Sequence, residues 1–571
     1  MQPQWPSGES QLVAESYYIA MAGEAGSPAV ITADALLVVA LATPLAMLAA
    51  CVSRRVRSRM PAFLAFAPVP ALAAALLAHH GAPLVIFPPP LRMTLTLDVP
   101  AAMLLGTAAL LWIIAGVYCA TYLHGEPNAG RFAEWWLLTL SGSLGVFMAA
   151  DLVSFYLTYS VVSLAAYGLI VHDGAPGGWR AGSVYLALAV LGEAFLLMAF
   201  VFMAEATPNG SLLIRDAVAA LPGSPWRDAS LALLILGFGL KIGLVPGHVW
   251  MPLAYSAAPT PAAAVLSGAA VKAGVIGLIR FLPFGAAMPA WGEALAATGM
   301  LSAFYGVAVG ITQDNPKTVL AYSSVSQMGL LAAVLGMGWA AGDPGATVGA
   351  SFSAAHHILV KGALFLAIGV AAASRPRVWP VLLPAAILAL GLGGLPLTGG
   401  ALAKLAVKVE LGTGFIGVLA TLSAAGSTLL MLHFLRRLAA LGASGAEKAP
   451  AGFTAAWLAI AFAAVVVPWG LYPLADSGTR LEAVGPGALW AALLPVVLGG
   501  VLAVGLWGSG TRLPRVPEGD IVVAGEGAIR MTAAWAEAVE RADRWLRQWP
   551  VASLSLVLLV IVLSAAMLVW R

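Results

Sequence analysis

Charged residues are scarce in this sequence. Of its 571 residues, 10% are Asp, Glu, Lys or Arg, whereas about 25% of the residues in a soluble globular domain carry a charge. Apolar residues make up 61% of the chain, and its mean hydropathy is +0.92. The shortage of charge excludes an ordinary water-soluble fold and predicts an all-α protein that crosses a membrane many times.

Cysteine is equally rare, and no cofactor motif accompanies it. Cys51 and Cys119 do not stand in a CxxC or other ligand spacing, so the sequence predicts no iron–sulfur, haem or zinc site. The adjacent His356 and His357 point to different sides of a helix and form a poor pair of metal ligands. A glycine-rich phosphate loop is also missing. We therefore expect no cofactor and no metal, and any energy must come from partner subunits or an ion gradient.

Net charge is low as well. A formal charge of +3 is too small to favour nucleic acid, so we expect no nucleic-acid partner. The sequence leaves open whether the chain serves an enzyme complex.

Long apolar runs recur along most of the chain, each close to the roughly 20 residues that a membrane-spanning helix needs. Residues 1–32, ahead of the first run, do not have the pattern of a signal peptide. Sixteen candidate spans follow: 33–52, 62–80, 100–122, 134–150, 152–172, 181–205, 229–248, 258–282, 290–311, 317–339, 346–373, 379–408, 412–437, 453–474, 485–507 and 551–570.

Basic residues in the predicted loops are biased to one side of the membrane. When successive loops are assigned to alternate sides, 18 basic residues fall on the side of the cluster Arg54, Arg55, Arg57 and Arg59, and 5 fall on the other. Because basic loops stay in the cytoplasm, the bias predicts that this cluster is cytoplasmic and that both termini lie outside.

Five lysines lie inside the apolar runs. A charged side chain at mid-bilayer costs about 2.5–3.5 kcal/mol on insertion scales, and such residues usually face the bundle interior and mark ion pathways. Lysine can give up its proton when it is desolvated, whereas arginine effectively cannot. The pattern therefore indicates groups that change protonation. The five are Lys241, Lys272, Lys361, Lys404 and Lys408.

Two of these lysines stand next to helix-breaking residues. Lys241 precedes Pro246 and Gly247, and Lys404 follows Pro396. Broken helices at membrane depth are tolerated where protein or water satisfies the freed backbone groups, and they often mark ion sites. A kinked packing helix is the alternative for each break alone. Two interruptions about 160 residues apart indicate a duplicated module.

One histidine is spaced to work with a buried lysine. His357 and Lys361 are four residues apart, one above the other on a helix face, and histidine titrates near neutral pH. A proton relay step is the functional interpretation. A histidine that hydrogen-bonds to a neighbouring helix is the alternative.

Three segments carry a resemblance to a known family: HVWMPLAYSAAPTPAAAVLSGAAVKAGV from His248 to Val275, AYSSVSQMG from Ala321, and HILVKGALFL from His357. They resemble the signatures of the antiporter-like, proton-translocating subunits, a family that includes membrane-arm subunits of respiratory complex I, Mrp-type cation/proton antiporters and energy-converting hydrogenases. The likeness covers about residues 130–440. It is specific for the family but not for one branch of it.

The resemblance implies a bundle of about fourteen core helices that contain two inverted five-helix repeats, with helices seven and twelve broken. It implies matches between family positions and residues of this chain: Lys241 on helix seven, Lys272 on helix eight, His357 and Lys361 on helix eleven, and Lys404 on helix twelve.

In the family these positions form a polar axis in mid-membrane, linked by waters, along which protons or coupled ions move. The resemblance thus implies a proton-translocating subunit, and we add Glu193, His248 and Lys408 to its candidate pathway. The implied partners are the lipid bilayer, protons, Na+ or another ion, and other membrane subunits of an Mrp-like, hydrogenase-like or complex I-like assembly. The implied location is a bacterial cytoplasmic membrane.

One position departs from the family pattern. The family usually carries a glutamate on helix five that pairs with the helix-seven lysine, and this sequence has Ser160 there. Either another acid substitutes, with Glu193 and Asp151 as candidates, or this half of the channel is altered. Glu193 is favoured because an unpaired acid inside an apolar run is costly. A non-transporting scaffold with a silenced channel is the alternative function.

The C-terminal region informs the branch of the family. Residues 520–548 have apolar positions at helical spacing and a cluster of arginines, which is typical of an interfacial amphipathic helix. At about 1.5 Å per residue this helix reaches about 40 Å, too short for the long lateral helix of the distal complex I subunit, so an Mrp-like or hydrogenase-like assembly is favoured. We expect five regions: an N-terminal segment (1–32), N-terminal helices (33–125), the antiporter-like core (126–440), C-terminal core helices (441–510), and the interfacial helix with the last transmembrane helix (511–571).

Overall fold

A computed structural model gives the fold of the chain. It describes residues 28–78, 83–87, 92–374, 379–441, 450–475, 480–509 and 513–523. Contacts divide the chain into two units, Met1–Val516 and Pro517–Arg571. Most of the predicted interfacial helix and the last predicted span, 551–570, lie outside the described residues.

Long apolar α-helices make up most of the first unit, because a helix satisfies its own backbone N–H and C=O groups, as a chain in hydrocarbon must. In chain order they are α1 Pro28–Ala50, α2 Arg54–Arg59, α3 Val69–Leu77, α4 Val99–Tyr122, α5 Ala129–Met148, α6 Leu152–Ile170, α7 Pro176–Ala206, α8 Ile214–Ala220, α9 Arg227–Ile242, α10 Trp250–Ala257, α11 Thr260–Val265, α12 Lys272–Phe281, α13 Pro289–Gly310, α14 Pro316–Ala341, α15 Gly345–Ala373, α16 Trp379–Gly393, α17 Gly399–Ala406, α18 Lys408–Leu411, α19 Phe415–Leu441, α20 Ala451–Ala475, α21 Arg480–Ala483 and α22 Pro486–Gly508.

Short elements fill the connections. They are the 3₁₀ turns Met60–Ala62, Leu64–Phe66, Pro208–Gly210, Leu221–Gly223 and Gly247–Val249, the π turn Leu266–Ala270, and the strands β1 Leu84–Ile86 and β2 Met93–Leu95.

Twelve helical stretches of the described residues are long and apolar enough to cross a membrane. The pair Arg54–Ala62 and Leu64–Leu77, bent by 71°, raises the number to 13 if it counts as one span. The predicted spans 134–150 and 379–408 correspond to α5 and to the interrupted pair α16 and α17, which are not among the twelve. The all-α polytopic membrane fold is thus confirmed. The inverted repeats and the exact number of core helices stay predictions.

The small hairpin of β1 and β2 closes one end of the α5–α6 pair. The strands are antiparallel, with Val85 opposite Thr94. Ala150 N donates to Thr94 O over 2.8 Å, and Thr94 N donates to Asp151 Oδ2 over 2.7 Å. Asp151 also accepts from Ser154 N over 2.8 Å and so caps α6. This carboxylate is therefore fully engaged in the fold.

Helices α13 and α14 pack backbone to backbone. A Cβ on Gly299 would lie 2.5 Å from Gly329 O, and a Cβ on Gly306 would lie 2.6 Å from Tyr322 O. Both distances are far below van der Waals contact, so only glycine permits this approach. The close contact fixes α14, which contributes to the polar centre described below.

Of the twelve candidate spans, the most enclosed runs from Thr260 to Phe281, through α11, the π turn and α12. Its most apolar part is completely buried. A π turn leaves carbonyl groups outside the regular hydrogen-bond ladder and is often found at functional sites. Lys272 is the first residue of α12, directly after this turn. The fold thus holds a lysine at the centre of the bundle, next to irregular backbone.

Candidate functional site

The first helix break separates α9 from α10. Helix α9 ends at Ile242, and Gly243 adopts a left-handed conformation (φ 74°). Ser302 Oγ accepts from Val245 N over 2.9 Å, and Trp250 Nε1 donates to Leu240 O over 2.8 Å. Side chains of the bundle therefore satisfy backbone groups that the break frees. The break contains the two residues singled out in the sequence, Pro246 and Gly247.

Lys241 lies in a tight pocket just before this break. Its Nζ donates to Ser163 Oγ over 2.7 Å and lies 5.5 Å and 6.0 Å from the ring centres of Tyr159 and Tyr185, a geometry that favours a cation. The side chain is buried. The adjoining cavity is about 10 Å³, close to the smallest volume that holds one water molecule.

Glu193 of α7 provides a negative charge near Lys241. The carboxyl group is buried and lies within electrostatic range of Lys241, although the described residues contain no ion pair within 4 Å between the two. Its Oε1 has no hydrogen-bond partner among the described residues, nor does the Oγ of Ser160. Asp151, the other candidate acid, caps α6 instead. Glu193, rather than Asp151, is therefore the candidate acidic partner of Lys241.

The five lysines and His357 are called the lysine series below. Within this series, Lys272 and His357 form the closest contact between ionisable groups. Lys272 Nζ and His357 Nδ1 are 2.6 Å apart, and Lys272 also donates to Ser267 O of the π turn over 3.1 Å. Both side chains are buried. Two arrangements fit this geometry: an ammonium that donates to neutral Nδ1, or a neutral amine that accepts from Nδ1–H. Nε2 of His357 has no partner among the described residues.

Lys361 is linked to this pair by a chain of polar contacts. Its Nζ donates to Leu320 O over 2.8 Å, and Ser324 Oγ donates to the same carbonyl over 3.1 Å. Ser324 Oγ also lies 3.1 Å from Ser267 Oγ. The contacts therefore lead from Lys361 on α15 through α14 back to the π turn that holds Lys272.

The second break separates α16 from α17 and is built around Lys404. Gly394 and Leu397 have positive φ values of 99° and 64°, and Pro396 lies between them. Lys404 donates to Gly393 O, the last carbonyl of α16. A Cβ on Gly394 would overlap the Lys404 amine, so glycine is required there for both backbone and space.

Two cavities meet at Lys404. The inner cavity, about 50 Å³, is bordered by His356, His357, Gln327 and Lys404 and fits a few water molecules. The outer cavity, about 530 Å³, is bordered by Lys404 and by Lys408, Thr421 and Glu482. Leu330, Lys404, Val407 and Ala424 border both cavities. Lys404 thus stands between the space beside His357 and the outer space.

Lys408 and His248 lie apart from the central contacts. Lys408 is exposed, and an interruption at Val407 separates its helix α18 from α17, so the two lysines do not share one continuous helix face. His248 is fully buried in the turn Gly247–Val249. Its ring lies 4.9 Å from Tyr305 and 6.1 Å from Tyr322.

Sequence reasoning missed the hydroxyl and carbonyl partners and one arginine. Ser163, Ser267 and Ser324 look like ordinary small residues of apolar helices, and no spacing rule singles them out. Arg280, near the end of the predicted span 258–282, lies in α12 with its side chain buried. It donates to Phe147 O over 2.7 Å and to Ala149 O. The sequence signal that could have identified this arginine is its position one residue before the end of the helix.

Comparison with known proteins identifies the family. Residues 149–429 match the family described as NADH:quinone oxidoreductase/Mrp antiporter, TM. Hydrogenase-4 component B of Escherichia coli K12 is 29% identical over 308 residues, which are 51% of this chain and 46% of the relative. NADH-quinone oxidoreductase subunit N of Desulforudis audaxviator is 34% identical over 301 residues, 50% of this chain and 57% of the relative. The chain thus spans about half the length of these relatives.

A solved structure extends the likeness over most of the fold. The chain is similar to a chain of the Mrp complex from Dietzia sp. DQ12-45-1b, with a TM-score of 0.73 and 23% identity over 95% of this chain and 63% of that one. At this identity the likeness concerns the fold. The matched core contains both broken helices and every lysine of the series, and this core, residues 149–429, belongs to the NADH:quinone oxidoreductase/Mrp antiporter family.

Proposed function

We propose that the chain is a proton-translocating subunit of a multi-subunit membrane complex, in which protons, alone or in exchange for Na+ or another cation, move along the buried lysines and His357. The observation that carries the proposal is the 2.6 Å contact between Lys272 Nζ and His357 Nδ1. Two ionisable groups that share one hydrogen bond can pass a proton without any backbone movement. Burying both ionisable side chains costs free energy, and outside an ion pathway this cost would serve no function.

The C-terminal side of this pair supports a continuous route. His357 borders the inner cavity, and Lys404 borders both the inner and the outer cavity. A proton at His357 Nδ1 can leave through Nε2, because the two ring nitrogens exchange roles when the tautomer changes. We propose that water in the inner cavity carries it to Lys404, and that Lys408 lines the outer part of the route.

The N-terminal side has a different arrangement. Glu193 acts on Lys241 through space, and Lys241 is held by Ser163. We propose that Glu193 replaces the acid that the family has at the position of Ser160. Loss or gain of a proton at Lys241 then changes the electrostatic potential at Glu193 and at the residues around it. His248, in the adjacent break, belongs to the same half of the pathway.

We also propose the setting of the chain. The names of the relatives, a hydrogenase component and a quinone oxidoreductase subunit, support partners of a hydrogenase-like, complex I-like or Mrp-like assembly. The bias of basic residues supports a bacterial cytoplasmic membrane with the arginine cluster inside and both termini outside. The five regions from 1–32 to 511–571 keep their proposed limits.

A scaffold without transport is the second candidate. Two observations favour it: Ser160 stands where the family has an acid, and the described residues contain no direct hydrogen bond or ion pair between the Lys241 pocket and the Lys272 cluster. In that case the lysine series would be a remnant, and its removal would leave ion flux unchanged.

Flux measurements with two matched lysines separate these functions. Lys361 and Lys317 each donate to a backbone carbonyl over 2.8 Å, to Leu320 O and Ala258 O, but only Lys361 belongs to the series. In the assembled complex in liposomes, Lys361→Met is expected to lower proton flux about 100-fold, as for loss of a positioned proton carrier. Lys317→Met is the control. Equal flux for wild type and Lys361→Met would support the scaffold.

A further inference from the structure

An apolar groove with a basic edge lies beside α2, far along the chain from the lysine series. Its volume is about 610 Å³, within the range of about 300–1,000 Å³ typical of small-molecule sites. Phe63 and Phe66 in its wall are 51% and 63% exposed. The groove is bordered chiefly by Met47, Met60, Phe63 and Phe66, and by two arginines, Arg55 and Arg59.

The two arginines lack acidic partners. Arg55 and Arg59 are four residues apart, so they lie on one face of α2. Both are exposed, and among the described residues neither has a carboxylate within 4 Å. Arg57, between them, behaves differently: its Nη1 lies 3.4 Å from Glu134 Oε1 of α5. This contact holds α2 in place and leaves the two flanking guanidinium groups available.

The groove lies beside the end of the first candidate span, with Ala46, Met47 and Ala50 in its wall. Helix α1 contains a candidate span that ends at Ala50, and α2 begins four residues later. The segment Arg54–Ala62 then turns by 71° relative to Leu64–Leu77. A basic helix beside the end of a span is suited to the membrane surface. Basic residues there attract anionic lipids.

We propose that this groove binds an anionic phospholipid, with its phosphate on Arg55 and Arg59 and an acyl chain against Phe63 and Phe66. Guanidinium groups match phosphate oxygens in a fork geometry. A soluble anion would leave the apolar wall exposed, and a zwitterionic lipid would not match the two positive charges. An anionic amphiphile satisfies both parts of the groove. The site is independent of the proposed transport.

Lipid binding to the purified full-length chain in a neutral detergent tests the site. Short-chain phosphatidylglycerol is expected to bind more tightly than phosphatidylcholine of the same length. Arg55→Gln with Arg59→Gln is expected to weaken phosphatidylglycerol binding about 10- to 30-fold, as for two basic residues at an anionic surface. Arg54→Gln is the control, since Arg54 is exposed on the same helix but does not border the groove.

Further variants define the ligand. Phe66→Gln is expected to weaken phosphatidylglycerol binding, and inorganic phosphate at equal concentration is expected not to compete. If the double Gln variant does not fold, Arg55→Lys with Arg59→Lys keeps the charge and is expected to bind with intermediate affinity. Equal losses with Arg54→Gln, competition by phosphate alone, or equal binding of phosphatidylcholine would each overturn the proposal.

Discussion

The two broken helices place their lysines in opposite surroundings. Lys241 is enclosed by Ser163 and two tyrosine rings, beside a cavity of about 10 Å³, with Glu193 acting on it. Lys404 binds a carbonyl of the break itself and stands between cavities of about 50 and 530 Å³. Among the described residues it has no carboxylate within 4 Å.

In the proposed pathway, this difference gives a lysine beside a proline-containing break two possible roles. In a narrow pocket with an acid nearby, the charge of the amine depends on the charge of that acid. Beside water-sized space, the amine can exchange protons with solvent in the cavity. The first arrangement is suited to coupling and the second to conduction.

The largest contrast is expected between the two lysines of the C-terminal half. Lys404→Met is expected to lower proton flux in the reconstituted complex about 100-fold, because it removes the amine shared by the two cavities. Lys408→Met is expected to have a much smaller effect, since Lys408 is exposed and borders only the outer cavity. Equal losses would mean that the outer cavity, rather than the junction, limits the flux.

The next contrast concerns the acid of the N-terminal half. Glu193→Gln is expected to lower flux about tenfold, a change of ~1.4 kcal/mol, because Lys241 loses its nearby negative charge. Ser160→Glu in the same chain is expected to restore flux, since it returns an acid to the family position. Glu205→Gln, at an exposed position of the same helix, is the control. Without restoration, the Glu193 pairing is wrong.

A smaller contrast separates backbone strain from the loss of space at the second break. Gly394 and Gly412 both have positive φ, 99° and 63°, but only Gly394 faces the Lys404 amine. Alanine at either position is expected to lower the free energy of unfolding by roughly 1–3 kcal/mol, because residues with a side chain rarely adopt these conformations. Only Gly394→Ala is expected to lower proton flux as well. Thermal unfolding and flux, measured on the same samples, distinguish the two effects.

The smallest contrast lies in the tryptophans that donate to break carbonyls. Trp250 Nε1 donates to Leu240 O at the first break, and Trp469 Nε1 donates to Leu397 O at the second. Trp250→Phe leaves a partly buried carbonyl without this donor and is expected to cost about 1–3 kcal/mol. Trp469→Phe affects an exposed carbonyl and is expected to cost less. Unfolding midpoints in detergent measure both, and equal shifts would contradict the difference in enclosure.

Sequence alone predicted the features that depend on residue type and spacing. Apolar length predicted the spanning helices, and the cost of a buried charge singled out Lys241, Lys272 and Lys404. Proline with glycine marked both interruptions. These signals work because each charged or helix-breaking residue in a hydrocarbon environment carries its own energetic cost. Such a residue can therefore be recognised from the sequence alone.

Features that depend on packing could not be predicted in this way. The hydroxyl of Ser163 and the carbonyl of Leu320 become partners only when distant helices meet. Likewise, Asp151 and Glu193 are both acids in or beside apolar runs, and only their three-dimensional neighbours show that one caps a helix while the other lies within electrostatic range of a lysine. The cavities on either side of Lys404 leave no trace in the sequence.

The glycine contact between α13 and α14 limits how this protein can move. Helices that touch through their main chains, as at Gly299 and Gly306, cannot roll or slide past each other without collision, so this pair behaves as a rigid frame. In the proposed pathway, changes between these two helices are therefore limited to side-chain rotamers. Proton transfer along the proposed pathway would then depend on small local movements next to a rigid pair of helices.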